Sequence, residues 1–289
     1  MERSRKVLVA ILALVVIVAV AAAIFYMTTP KITTPKVTAE QIKEEMIEAT
    51  GDINTYQFDM DMKIDMTITD KTTGKVEKMV ISLAGGGAID NVNRKMKTTM
   101  AGDIAVLEGE ETPGSIETQT YVVNDTVYTL TTIPETPANW TKIEMPAEAW
   151  ETQNQVEQQR ELMKVSEVEL LGDERVDGTD CYVLEITPDM EKYWETMMQQ
   201  PWLSEAMQNV SIEETFKEMS MENWIAKDTY FPIKTETQMT MVITEEDVPE
   251  AEEPFEMMMD MDIDMLFHDY NEPVTIELPE DAESAVEAP

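Results

Sequence analysis

Two short stretches near opposite ends of the chain concentrate the side chains that could bind or react. Residues 58–66 read FDMDMKIDM, and residues 257–270 read MMMDMDIDMLFHDY. Asp59, Asp61 and Asp65 in the first, with Asp260, Asp262 and Asp264 in the second, are hard oxygen donors. If the two stretches lie side by side, they could form a patch suited to Ca²⁺ or Mg²⁺; a solvated acidic face is the plainer expectation. Thioethers alternate with the carboxylates. Met60, Met62, Met257, Met259 and Met261 carry the soft sulfur that holds Cu(I). Their parity, however, is that of Ile64, Ile263 and Phe267, so an apolar wall is expected rather than a metal centre. No metal and no cofactor are expected.

Other catalytic schemes find little material. His268 is the sole histidine, and no GxSxG stretch accompanies it, so a Ser-His-Asp or Cys-His arrangement is not expected. Cys181 is the sole cysteine. It can form no intramolecular disulfide and no cysteine-based zinc site, and within CYVLEIT it reads as a small buried apolar group. Carboxylates are so abundant that no pair of them singles itself out as an acid and base. A binding protein, and not an enzyme, is the expectation.

The elements that hold these residues follow from periodicity. From Tyr56 the pattern has a period of two: Met60, Met62, Ile64, Met66 and Ile68 share one parity, and Asp59, Asp61, Lys63, Asp65 and Thr67 the other, as in a strand with one buried face. The last strand repeats the arrangement, with Met257, Met259, Met261, Ile263, Met265 and Phe267 facing one way and Asp260, Asp262, Asp264 and His268 the other. Between them, strands are expected near residues 76–83, 94–107, 115–123, 126–132, 223–226 and 233–243. Turns as short as Asn124-Asp125 join some of them, which requires antiparallel pairing. Gly85, Gly86 and Gly87 suit a bulge or a sharp bend.

Helical spacing appears elsewhere. Thr38 with Gln41 forms a capping-box pattern ahead of Ile42, Met46 and Ala49. A polar helix is expected over residues 146–164. In residues 190–199, Met190, Tyr193, Trp194, Met197 and Met198 fall on one face, the pattern of an amphipathic helix; Pro201 interrupts it before WLSEAMQNV resumes.

The remaining signals concern location. The chain has 289 residues, 58 acidic side chains against 21 basic ones, and a formal charge of -37. Such a body repels nucleic acid and anionic membrane surfaces. Arg3, Arg5 and Lys6 precede an uncharged apolar run from Val7 to Met27, long enough to cross a hydrocarbon core of about 30 Å. Residues 1–27 are therefore expected to form an amino-terminal membrane anchor, with the acidic body outside the cytoplasm. A signal peptide cleaved near Ala21, Ala22 and Ala23, giving a secreted protein, is the alternative. Residues 28–38 read as a Thr/Pro tether, and residues 283–289 as a frayed tail. Asn124, Asn139 and Asn209 begin Asn-x-Ser/Thr sequons and are glycosylation candidates.

VYTLTTIPETPANWTKIEM, LLGDERVDGTDCYVLEITPD, NWIAKDTYFPIKTETQM and FHDYNEPVTIELPEDA resemble successive motifs of the LolA/LppX/LprG-like superfamily of lipoprotein carriers and lipid-binding envelope proteins. The resemblance spans residues 39–282. It implies an α+β fold: a curved antiparallel β half-barrel of about 10–11 strands, with helices over its open mouth and an apolar cavity for acyl chains. The chain departs from bacterial members in having no lipidated cysteine after the apolar run.

The expected function is a membrane-anchored extracytoplasmic protein that holds a lipid or another long apolar ligand, in lipid or lipoprotein trafficking. The cavity would be lined by Met60, Met62, Ile64, Met66, Met190, Tyr193, Trp194, Met197, Met198, Met259, Met261, Ile263 and Met265. The alternative is a ligand-free tethered interaction or sensor module with an acidic, cation-binding surface.

Overall fold

The computed structural model describes residues 37–108, 114–132, 138–144, 160, 162–189, 191–192, 215–245 and 254–287. The expected anchor, the segment over 202–210, and most of the helical segments over 146–164 and 190–199 lie outside them. Thr38–Pro289 is a compact unit.

Helix α1 (Ala39–Thr50) begins where the sequence signals it. The Thr38 side chain accepts from the Gln41 N–H at 3.2 Å, and the Thr38 N–H donates to Gln41 Oε1 at 3.0 Å. This reciprocal pair satisfies two backbone donors that a helix start leaves open. Ile42 and Met46 are fully buried, and the Lys43 ammonium donates to the Ser166 carbonyl at 2.8 Å, tying the helix to the sheet.

Among the described residues, twelve strands form one open sheet. They are β1 (Thr55–Asp70), β2 (Val76–Asp90), β3 (Lys95–Glu108), β4 (Ser115–Val123), β5 (Thr126–Thr132), β6 (Thr141–Glu144), β7 (Ser166–Val176), β8 (Thr179–Pro188), β9 (Phe216–Ala226), β10 (Pro232–Thr244), β11 (Phe255–His268) and β12 (Val286–Glu287). Their spatial order is β12-β6-β5-β4-β3-β2-β1-β11-β10-β9-β8-β7. The sheet is antiparallel throughout except at its margin, where β12 runs parallel to β6. It is a large unclosed sheet, as a half-barrel requires, and the two Asp- and Met-rich strands β1 and β11 are neighbours at its centre.

Three local features differ from expectation. The Gly85 to Gly87 stretch holds no bulge: β1, β2 and β3 keep an unbroken register through it. The glycines instead permit close approach. A Cβ at Gly85 would lie 1.9 Å from the Thr99 carbonyl oxygen, and one at Gly102, across the same hairpin, 1.7 Å from that of Ser82. Only residues without side chains allow the two backbones so near. The carboxyl end, expected to fray, adds the twelfth strand: Val286 N–H donates to the Trp140 carbonyl at 3.0 Å, and Glu287 meets Lys142 at 3.3 Å. Finally, β9 begins at Phe216 rather than near Asn223.

One face of the sheet is filled at one end. Tyr56, Phe58, Ile89, Met96, Val122, Met265 and Phe267 form a buried cluster with Ile53. The Tyr56 ring lies 6.3 Å from Phe58 and 6.1 Å from Phe267, centroid to centroid, within the range where aromatic pairs add to simple burial. On the opposite face Cys181 and Val183 pack with Trp224, whose indole N–H donates to Glu174 at 2.8 Å. Cys181 is thus the buried apolar group its context suggested, and burial pushes its thiol upward in pKa.

The candidate ligand face and its acidic reverse

Register decides what the two central strands can do. Met60 stands opposite Met265, Met62 opposite Ile263, Ile64 opposite Met261, and Met66 opposite Met259. These eight expected cavity residues therefore form four successive rungs of one apolar ladder. The neighbours extend it: Leu83, Ile81 and Met79 on β2 oppose Met62, Ile64 and Met66, while Met239 and Met241 on β10 oppose Met261 and Met259. Met265 is buried, joining the filled cluster, and the other seven are half-buried. Away from the aromatic end, then, the face is a wide band of methionine and isoleucine that neighbouring side chains cover only in part. Met190, Tyr193, Trp194, Met197 and Met198, expected to close over it, lie outside the described residues.

The copper grouping is not assembled by this register. Met60 and Met62 sit across from Met265 and Ile263, whereas Met257, Met259 and Met261 pair with Ile68, Met66 and Ile64. Among the described residues, no group of three or more His, Cys, Asp or Glu side chains is arranged to hold a metal ion.

The aspartates occupy the other face. Asp61 stands opposite Asp264 and Asp65 opposite Asp260, while Asp262 opposes Lys63 and Asp59 opposes Leu266. Polar neighbours satisfy them singly. Lys63 reaches Asp65 at 2.5 Å, Thr240 donates to Asp260 at 2.7 Å, and Gln238 donates to Asp262 at 3.2 Å. His268 stands beside Asp269 at 2.9 Å and Asp59 at 3.6 Å, an exposed polar end of the strand without a nucleophile.

Pairing also reveals an alignment that the sequence hides. Glu169, Glu185, Glu222, Glu236, Asp264 and Asp61 are mutually opposite across β7, β8, β9, β10, β11 and β1. Six adjacent strands thus carry a carboxylate at one level. Like charges directly opposed destabilise a sheet. Lys234 compensates in part: it bonds Glu236, and its ammonium lies 4.6 Å from the Trp224 ring centroid. Asp264 registers the crowding. Burial first, then the carboxylates of Glu236, Asp61 and Asp262, raise its pKa above the ordinary carboxylate value, against the pull of Lys234. An open groove of about 660 Å³ runs over this reverse face, between β3 and β10, floored by residues such as Ala84, Asp61, Asp264 and Glu236.

One polar site on the apolar face was missed. Asn223, wholly buried, stands between Leu184 on β8 and Thr235 on β10. The Thr235 hydroxyl donates to its Oδ1, and its Nδ2 has no hydrogen-bond partner. The signal that could have found it is an asparagine at an inward parity in MSMENWIA. Of the sequons, Asn124 and Asn139 are exposed, and Asn209 lies outside the described residues.

Several solved structures align with most of this chain. Lipoprotein LppX of Mycobacterium tuberculosis aligns at 12% identity over 82% of this chain and 96% of its own, with a TM-score of 0.36. LprF of Mycobacterium bovis aligns at 12% over 83% and 96%, with a TM-score of 0.39. A LolA superfamily protein of Nitrosomonas europaea aligns at 12% over 84% and 96%, with a TM-score of 0.22. No curated protein matches the sequence. A family model described as a family of unknown function, DUF6612, matches residues 38–287, which is the whole folded unit from the α1 cap to β12; the chain belongs to that family.

Proposed function

We propose that the methionine-rich face of the sheet binds a lipid or another long apolar ligand. The observation that carries this reading is the half-buried band of Met62, Ile64, Met66, Met259, Met261 and Ile263 beside a well-filled aromatic cluster. A contiguous apolar surface left partly uncovered next to a packed core is the mark of a surface that receives something. Thioether side chains adapt to irregular shapes, which suits hydrocarbon tails that offer area and no hydrogen-bond code. In this reading residues 190–199 supply the lid, residues 1–27 tether the protein to the membrane, and the sheet works on the extracytoplasmic side in handling lipids or lipoproteins.

The test is direct. The full chain is purified, extracted with organic solvent, and the extract weighed by mass spectrometry against protein. A stoichiometric long-chain species is expected, and Met66→Asp, which sets a charge on the ladder, removes it. An extract free of lipid, with a chain that takes up no added lipid, overturns the reading. A second reading, a tethered module that recognises a basic partner, draws on the six opposed carboxylates; it predicts salt-sensitive binding that Glu236→Gln weakens and Met66→Asp leaves alone.

A further inference from the structure

We infer that the methionine-rich face also holds a soft monovalent cation, Cu(I), on thioethers alone. Such a site shares the face with the apolar ligand and stands without it. Met60 and Met62 do not join the β11 methionines as a copper set, yet the pairing assembles another. Met79, Met66, Met259 and Met241 are mutually opposite across β2, β1, β11 and β10. One level along, Met261, Met239 and Met219 are aligned across β11, β10 and β9. These thioethers adjoin one another, and all of them are half-buried, so none is spent filling the packed core.

The chemistry of the two levels is uniform. From β10 to β3 they carry only methionine, isoleucine and valine: Val106 follows Met79, and Ile64, Ile81 and Ile104 continue from Met261. Asp65 and Asp260, the chain neighbours of Met66 and Met259, belong to the reverse face. Glu77, on this face one level beyond, is engaged by Lys75 at 2.6 Å. At these levels a hard cation such as Ca²⁺ finds no side-chain oxygen, and Zn²⁺ no imidazole or thiolate, whereas thioether sulfur is a ligand that selects Cu(I).

Reach is adequate for three sulfurs on one ion. Opposed residues of neighbouring strands have Cβ atoms about 4.5–5.5 Å apart. Three sulfurs bound at about 2.3 Å to a common centre stand about 4 Å from one another. Each methionine sulfur sits two bonds beyond its Cβ on a chain with three rotatable bonds, so an inward lean of Met66 and Met241 over Met259 closes the set. The formal charge of -37 on the chain favours the arrival of any cation.

Ag(I), equally soft and singly charged and indifferent to air, is the probe. The full chain, labelled with carbon-13 at its methionine methyls and held in an amphipathic polymer, is titrated with silver nitrate in chloride-free buffer. The methyl resonances of Met66, Met241 and Met259, assigned by single Met→Leu substitutions, are expected to move, while Ca²⁺ and Zn²⁺ leave them in place. Joint replacement by Met66→Leu, Met241→Leu and Met259→Leu exchanges sulfur for hydrocarbon of similar volume. It is expected to remove one bound silver and to preserve uptake of an apolar ligand. Cys181, buried on the opposite face, is common to both chains, so the difference reads the thioethers. A thioether has no proton to displace, so the affinity should agree within about twofold between pH 5 and pH 7. Methyl resonances that stay in place, or a triple variant that binds as much silver as wild type, would overturn the inference and spare the apolar site. Silver taken up on these methionines by a chain that binds no lipid would uphold the cation site and remove the lipid. Affinity that collapses at pH 5 would assign the metal to Cys181 or His268 and overturn the thioether set. The wild-type titration decides the matter whether or not the triple variant folds.

Discussion

The close approach of β2 and β3 depends on glycines at which a single methyl group cannot fit, and Gly102→Ala tests it. The added Cβ would sit 1.7 Å from the Ser82 carbonyl oxygen, whereas real contacts of this kind begin near 3.0 Å. The β2 and β3 backbones must therefore separate by about 1.3 Å at that point. Ladder hydrogen bonds span 2.7–3.2 Å, so a displacement of that size breaks the bonds flanking it. Two lost bonds that leave buried partners cost about 3 kcal/mol together. For a folded unit of this size each kcal/mol moves Tm by roughly 2–4 °C, and a fall of about 10 °C is expected. The assay is thermal and urea unfolding beside wild type, with Gly114→Ala as control. Gly114 has open space where its Cβ would go and should change stability by less than about 0.5 kcal/mol. If Gly102→Ala melts within 2 °C of wild type, the strands do not approach as described.

Three further outcomes are expected. Phe58→Ala, which empties a nearly fully buried site between Tyr56 and Gly87, should cost about 3–5 kcal/mol in urea unfolding; a cost below 1 would place the core elsewhere. Trp224→Phe removes the indole donor to Glu174 and weakens the seat of Lys234, and should lower stability by about 1–2 kcal/mol, with a smaller effect of Glu174→Gln. Asp264→Asn should raise Tm at neutral pH by relieving a repulsion of about 0.5 kcal/mol. Because the folded state raises the Asp264 pKa, its contribution is favourable below the ordinary carboxylate range and is lost as pH rises through the folded value. The variant's advantage should accordingly shrink on acidification towards pH 4, and an advantage independent of pH would contradict this.

How much of this could be read in advance depended on whether the signal was local. The α1 cap is spelled by Thr38 and Gln41 three residues apart, and the extent of β11 by an alternation that only Met258 and Leu266 interrupt. The hairpin at Asn124 and Asp125, where both residues have positive φ, is likewise written in two adjacent letters. Pairing is different. Nothing near Asp61 says that Asp264 will face it, or that Glu236, Glu222, Glu185 and Glu169 continue the row, because strand partners are chosen by the packing of whole faces. The start of β9 was obscured for a related reason: Lys217 and Glu218 suit a helix as well as a strand, and only pairing with β10 decides. Asn223 was passed over because an isolated polar residue in an alternating segment looks like noise until its burial is known.

The partnership of β1 with β11 has a consequence for how the molecule is made. Gln57 and Asp269, which bond at 2.7 Å, are 212 residues apart in the chain. The seam between the two halves of the sheet therefore cannot close until almost the whole polypeptide has been delivered, and a loop that long is entropically slow to close. Until then β1 waits with its methionines bare and one row of backbone amides unclaimed, the state in which a strand is most open to the wrong neighbour. The aspartates alternating along it would meanwhile hold newly made copies apart.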